Sequence, residues 1–247
     1  MDAPKTLILD IETSPNVAHV WGLFRQTVSL AQLRESSFTL CWAAKWYGSK
    51  KTTFKDYNDP TMVEDIWEML HDADVVVTYN GNKFDLPVLN REFLLAGLPP
   101  PSPYHSIDLY RVVKKKFNFP SYKLKYVAQA LGLTHKVEHE GHELWVGCMA
   151  GDTKAWRQMR RYNTGDVITT EELYDRLQPW IDNLPNRNLF VDLDAPVCPA
   201  CGSESLQRRG YSYTRLGKYQ RFVCLGCARW SRGSRRLDGV EVQVALG

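Results

Sequence analysis

Two apolar runs in this chain each lead into carboxylates, and that arrangement constrains its fold more than any other feature. The first, Lys5 to Ile11, carries Asp10 and is followed by Glu12; the second, Ala73 to Tyr79, leads through N-G-N-K-F-D to Asp85. Runs of this length and composition predict buried strands. Acids at the carboxyl ends of neighbouring strands converge on one crevice even when they are distant in sequence. A further acid, Asp166, follows Tyr162 by four residues in a helical pattern, so the two share one helix face. Clustered carboxylate oxygens suit hard divalent cations, which in pairs activate water and stabilise the charge that develops as a phosphodiester is hydrolysed. The competing reading is plainer: solvated acids at element ends, with Tyr162 a packed helix residue.

Periodicity fills in the rest. Residues 20 to 30 and 38 to 47 are strand-like, with Lys51 to Tyr57 an edge strand after the turn at Gly48. Val63, Ile66, Trp67 and Leu70 form a helical stripe opened by Pro60. A helix over Phe84 to Leu95 tolerates Pro87 in its first turn and ends at Gly97. Ile107 to Leu109 is a short strand end, a helix runs from Ser121 or Tyr122 to Leu131, and a long helix from about Asp152 to Ile181 carries Tyr162 and Asp166, with a break expected near Gly165. Alternating strands and helices after antiparallel strands predict an α/β domain, one mixed sheet flanked by helices, ending at the polar stretch 182–188. The expected division is a first domain over 1–185, a linker over 186–196 and a small β-rich unit over 197–247, closed by the alternation Val240, Val242, Val244.

Charge follows the same division. Residues 1–194 are net acidic by three, whereas 195–247 hold nine Lys and Arg against three acids. The cysteines also segregate. Cys41 and Cys148 stand alone, but Cys198, Cys201, Cys224 and Cys227 form C-P-A-C and C-L-G-C knuckles suited to one tetrahedral Zn²⁺. Four reduced thiols are the bland alternative, yet about fifty residues bury too little core to be stable without a staple. Around the knuckles Arg208, Arg209, Arg215, Lys218, Arg221, Arg229, Arg232, Arg235 and Arg236 are interleaved with Tyr211, Tyr213, Tyr219, Phe222 and Trp230. Cations for phosphates and rings for bases describe a single-strand platform, a protein-docking module being the other option. The N-terminus shows no signal-like pattern and no run reaches the roughly 18 apolar residues of a membrane span, so a cytoplasmic location is expected, host cytoplasm if the source is viral.

L-D-I-E-T, N-G-N-K-F-D and Y-N-T-G-D, in that order, resemble the three motifs of the DnaQ-like (DEDD) 3′ to 5′ exonucleases. The likeness is strongest to the tyrosine subclass and to the proofreading domains of family B DNA polymerases, and it extends over roughly residues 5 to 180. It implies a ribonuclease H-like fold and two Mg²⁺ or Mn²⁺ ions held by Asp10, Glu12, Asp85 and Asp166. It also implies a Tyr162 that orients water, Asn82 and Phe84 shaping the primer-end site, and release of nucleoside 5′-monophosphates from DNA with an accessible 3′ end. The C-terminal unit resembles a zinc ribbon, an addition to the typical free-standing members. Arg209, Tyr211, Arg221 and Trp230 there, and Lys123 in the first domain, are the expected substrate contacts; the run Lys114 to Lys116 either tracks the phosphates or is a solvated face. Asp108 is either an ancillary site residue or a helix cap, and Asn80 orders the turn of the second motif. His139 and His142 are expected at the surface. RNA or a branched structure as substrate, docking to replication or repair proteins, and a nucleic-acid adaptor without catalysis remain as alternatives.

Overall fold

The computed structural model describes residues 4–133, 141–190 and 196–240; His139, Val242, Val244 and positions 191–195 of the expected linker lie outside them. Two compact units divide the chain, one spanning Lys5 to Tyr174 and the other the residues from Asp175 onward with Pro4.

The larger unit is built on a five-stranded mixed sheet. Its strands are β1 (Thr6–Thr13), β4 (Thr39–Trp46), β5 (Thr53–Asp56), β6 (Val75–Thr78) and β7 (His105–Asp108), in the order β5-β4-β1-β6-β7. β1 pairs antiparallel with β4 and parallel with β6, and β6 pairs parallel with β7. Alternation along β1 divides its side chains between the two faces of the sheet. Leu7, Leu9 and Ile11 join Trp42, Val76 and the inner faces of α1 (Met62–Asp72) and α2 (Asp85–Leu95) in the main core. Buried side chains of α1 such as Ile66 and Leu70 each contribute about 1.5–3 kcal/mol. On the opposite face, Leu40 and Cys41 of β4 pack with α5 (His142–Met149) and with Ala155 and Met159 of α6 (Thr153–Leu177). Asp10 and Glu12 project to this second side.

Several expectations need correction. Residues 20–30 form no strand: Gly22 and a left-handed Arg25 (φ 52°) interrupt the run, and only the short pair β2 (Val17–Ala18) and β3 (Leu33–Glu35) flanks it. α6 passes through Gly165 without a break, the Thr169 hydroxyl donating to the Gly165 carbonyl. Two helices escaped the periodicity reading, α3 (Leu109–Lys116) and α5, and Lys114 to Lys116 form the last turn of the first of them. The remaining helix, α4 (Leu124–Ala130), begins slightly later than expected.

In the smaller unit β8 (Leu206–Tyr213), β9 (Gly217–Cys224) and β10 (Trp230–Gly239) form an antiparallel sheet in the order β10-β9-β8. Its core is small: Cys198, Ala200 and Cys224, with Leu184 and Leu206 packed against them. Among the described residues, no helix is long and apolar enough to cross a membrane.

Candidate active site and four-cysteine cluster

Asp10 and Glu12 leave β1 on the same face, and α6 lies across that face with Asp166 one turn beyond Tyr162. One carboxylate oxygen from each of Asp10, Glu12 and Asp166 lies within 4.8 Å of the others, and all three residues are half-buried. Asp85 is the first residue of α2; its Oδ1 accepts the Ile11 N–H at 3.1 Å, tying the helix to β1 beside the acids. The fourth acid is therefore a neighbour that acts on Asp10 and Glu12 through its charge.

Electrostatics show how costly this arrangement is without a counter-ion. Burial, then the charges of Asp85, Asp166 and Glu12, hold the Asp10 carboxyl well above its ordinary range. Glu12 is pushed up to about 8 by burial and by Asp166 and Asp85. Asp85 rises to about 7, chiefly by burial against the opposing pull of the Ile11 N–H, and Asp166 to about 6, by burial opposed by a bond from Tyr162. Burial and the adjoining acids push the Tyr162 phenol upward, so it keeps its proton at neutral pH and donates to Asp166. Several acids held up by desolvation and mutual repulsion form a donor set that a hard cation would relieve.

Two residues here went unnoticed in the sequence. The buried Asn163 amide donates to Asp10 Oδ2 at 2.6 Å and to the Asp10 carbonyl at 3.3 Å, fixing the carboxylate's orientation. Its signal was present in Y-N-T-G-D, one position after Tyr162. Trp145, on α5, bonds Glu12 and sets its ring edge-on to Tyr162 at 6.1 Å. It lies in a helix that the pattern did not reveal.

The second motif forms a tight turn. Asn80 is left-handed at φ 67°, and a Cβ on Gly81 would meet the Thr78 side chain at 2.3 Å, so glycine is required there. Asp108 acts as a cap: its Oδ1 accepts Tyr110 N–H at the start of α3 and also Asn80 N–H at 2.8 Å. Asn82 accepts a bond from the Ser106 hydroxyl. The exposed Phe84 borders a cavity of about 890 Å³ shared with Lys83, Lys114, Lys123 and the rings of Tyr110 and Tyr122. His142, the first residue of α5, is exposed.

In the smaller unit all four Cys Sγ atoms lie within 4.8 Å of one another, with Cys198–Cys227 at 3.6 Å and Cys201–Cys224 at 3.7 Å. A Zn–S length of about 2.3 Å places tetrahedral ligands roughly 3.8 Å apart, so the cluster fits zinc and is consistent with a zinc ribbon. Burial raises the Cys224 thiol, but the N–H groups of Cys227 and Gly226 together with bonds from the Cys201 and Cys227 thiols bring it to about 7. Arg221 stacks on Trp230 (4.8 Å) and Arg232 on Tyr219 (4.4 Å). By register Tyr211 pairs with Gln220, which places it on the opposite face from Arg221 and Trp230, where Lys218 covers its ring at 4.1 Å. Arg229 is withdrawn from the surface set, its guanidinium donating to the carbonyls of Gln178, Pro179 and Ile181.

The chain belongs to the RNase_H superfamily, whose family model matches residues 7–178. A DNA polymerase of Pyrococcus glycovorans is 28% identical over an alignment of 123 positions, covering 41% of this chain and 16% of that protein. The structure of the family B DNA polymerase of Pyrobaculum calidifontis superposes with a TM-score of 0.54 at 20% identity, over 72% of this chain and 25% of that one. This chain therefore spans a quarter or less of either polymerase. Superfamily membership and the polymerase similarity together support a nuclease-type hydrolase.

Proposed function

We propose that this protein is a metal-dependent 3′ to 5′ exonuclease that hydrolyses DNA from single-stranded or frayed 3′ ends and releases nucleoside 5′-monophosphates. The observation that carries the reading is the convergence of Asp10, Glu12 and Asp166 beneath a protonated Tyr162. Asp10, Glu12, Asp85 and Asp166 would hold two Mg²⁺ or Mn²⁺ ions; bound there, such ions supply an activated water and neutralise charge on the attacking and leaving oxygens. Asn163 keeps Asp10 turned toward the cluster, and Trp145 does the same for Glu12. Tyr162, which retains its proton, orients water as a hydrogen-bonding group rather than removing a proton as a full base. Phe84 and Asn82, on the turn before Asp85, would shape the site for a terminal nucleotide, and Lys123 and Lys114, which line the cavity beside Phe84, would offer charge to its phosphates.

The four cysteines would bind one structural Zn²⁺. The ribbon would contribute Arg209, Arg221 and Trp230 to the strand, with Tyr211 on its far face, and docking to replication or repair proteins would use the same unit. DNA is favoured over RNA because both similar proteins are DNA polymerases.

Digestion of 5′-labelled single-stranded DNA, duplex DNA and RNA of one sequence with Mg²⁺ or Mn²⁺, beside Asp10→Ala, tests the reading. The expected result is a ladder that shortens from the 3′ end, fastest on single-stranded DNA, and is abolished in the variant. A ladder that survives Asp10→Ala would sink the proposal, and a preference for RNA would replace its substrate.

A further inference from the structure

One segment continues from the end of β1 that carries Asp10 and Glu12 and returns to β4. The β1–β4 ribbon continues past its last ladder pair, Thr13 with Thr39. Ser14 N–H donates to the Phe38 carbonyl and Ser37 N–H to Asn16 Oδ1; β2 and β3 then pair, and His19 N–H reaches the Gln32 carbonyl. The Gln32 amide returns a bond to the His19 carbonyl, and Arg34 Nε donates to His19 Nδ1. The stalk is thus pinned by hydrogen bonds on both strands. Its tip is apolar and uncovered, with Trp21 98%, Leu23 86%, Phe24 86% and Leu30 88% exposed. Arg25, at the turn, is held at φ 52°. Contiguous exposed apolar groups of this size mark a contact surface.

Charge and position identify the occupant. From Ser14 to Arg34 there is no Asp or Glu, Glu35 coming only at the end of β3, while His19, Arg25 and Arg34 are present, in a unit whose residues outside that segment hold 18 Lys and Arg against 20 acids. The stalk also begins at the strand that carries Asp10 and Glu12, so at about 3.3 Å per residue its last paired residue, His19, is at most ~23 Å along the chain from Glu12. We propose that the arm is a nucleic-acid contact of the larger unit: Trp21 and Phe24 stack on bases of the strand whose end lies at the acids, and Arg25 meets its phosphates. This inference rests on the nuclease reading for the identity of the strand.

Affinity for labelled single-stranded DNA, followed by fluorescence anisotropy in an Asp10→Ala background, tests it whether or not the wild-type protein turns over. Trp21→Ala with Phe24→Ala is expected to weaken binding about tenfold or more, and Trp21→Phe in place of Trp21→Ala to recover most of the loss. In the active protein the same pair should raise KM for a long strand far more than it lowers kcat. Because the tip is exposed, thermal melting should not move. Unchanged affinity overturns the proposal, and unchanged affinity accompanied by a dimer-to-monomer shift in sedimentation assigns the tip to a second copy instead. Weakened binding by a protein whose wild type hydrolyses nothing would refute the exonuclease and leave the arm standing.

Discussion

The two units handle charge in opposite ways. The larger unit gathers carboxylates into a partly desolvated cleft, where they raise one another's proton affinity. The smaller unit spreads its arginines over an open three-stranded sheet, stacked on rings, and keeps its ligating sulfurs at the centre. One concentrates charge in a cleft, where burial and mutual repulsion hold the acids above their ordinary range. The other gathers its thiols into a small core and sets its arginines on the faces of the sheet. Both clusters, three carboxylates in the first and four thiols in the second, are donor sets suited to a cation.

Removing zinc should break that contrast most severely. Structural zinc contributes about 10–16 kcal/mol in small domains, so Cys201→Ser or chelation should abolish the cooperative unfolding of the ribbon while the larger unit keeps its helical circular dichroism. Metal analysis should find one zinc per chain before treatment and none after. Next comes the catalytic cluster: Asp166→Asn should lower turnover at least about 100-fold, the scale expected when a group that stabilises developing charge is lost, with folding retained. Single-turnover digestion beside a thermal melt checks both halves of that statement.

The third prediction concerns pH. The folded-state values of Glu12, Asp85 and Asp166, about 8, 7 and 6, lie above those of unfolded carboxylates. The folded protein therefore binds more protons, and the associated stability is complete below about pH 4 and lost as pH rises through 6 to 8. Metal-free protein should melt at a lower temperature at pH 8 than at pH 5. Mg²⁺ should restore the difference at pH 8 and do little at pH 5, and calorimetry at both values decides the matter. Asn163→Ala, which frees Asp10 from its amide, should weaken Mg²⁺ affinity by roughly 10-fold. The smallest effect sharpens the comparison within the ribbon: Trp230→Ala should cost more affinity for single-stranded DNA than Tyr211→Ala, whose ring lies on the other face. Equal losses would show that both faces meet the strand.

Much of the acidic cluster's layout was legible because strand ends and a helical i, i+4 pair are local patterns, and Asp10, Glu12, Tyr162 and Asp166 sit on them. Asp85 was placed at a helix start, but its bond to Ile11 N–H is a tertiary contact that no local pattern encodes. Asn163 and Trp145 were missed for different reasons. The first was masked by the more conspicuous residues around it, and the second lies on a short helix, H-E-L-W-V-G-C-M, whose apolar residues do not fall on one clear stripe. Residues 20–30 misled because Val, Trp, Leu and Phe are strand formers only when a neighbouring strand pairs with them; here they form the tip of an arm. The four cysteines were legible because knuckle spacing is a short-range signal, whereas the face of the ribbon to which each ring belongs depends on a bulge between Arg208 and Tyr211.

The Asp108 carboxylate has a kinetic consequence. A single oxygen receives the amides of both Asn80 and Tyr110, so the turn that delivers Phe84 and Asp85 and the first turn of α3 are latched to one atom. Loss of that carboxylate releases both at once, so Asp108→Ala should speed hydrogen exchange with solvent at both amides together.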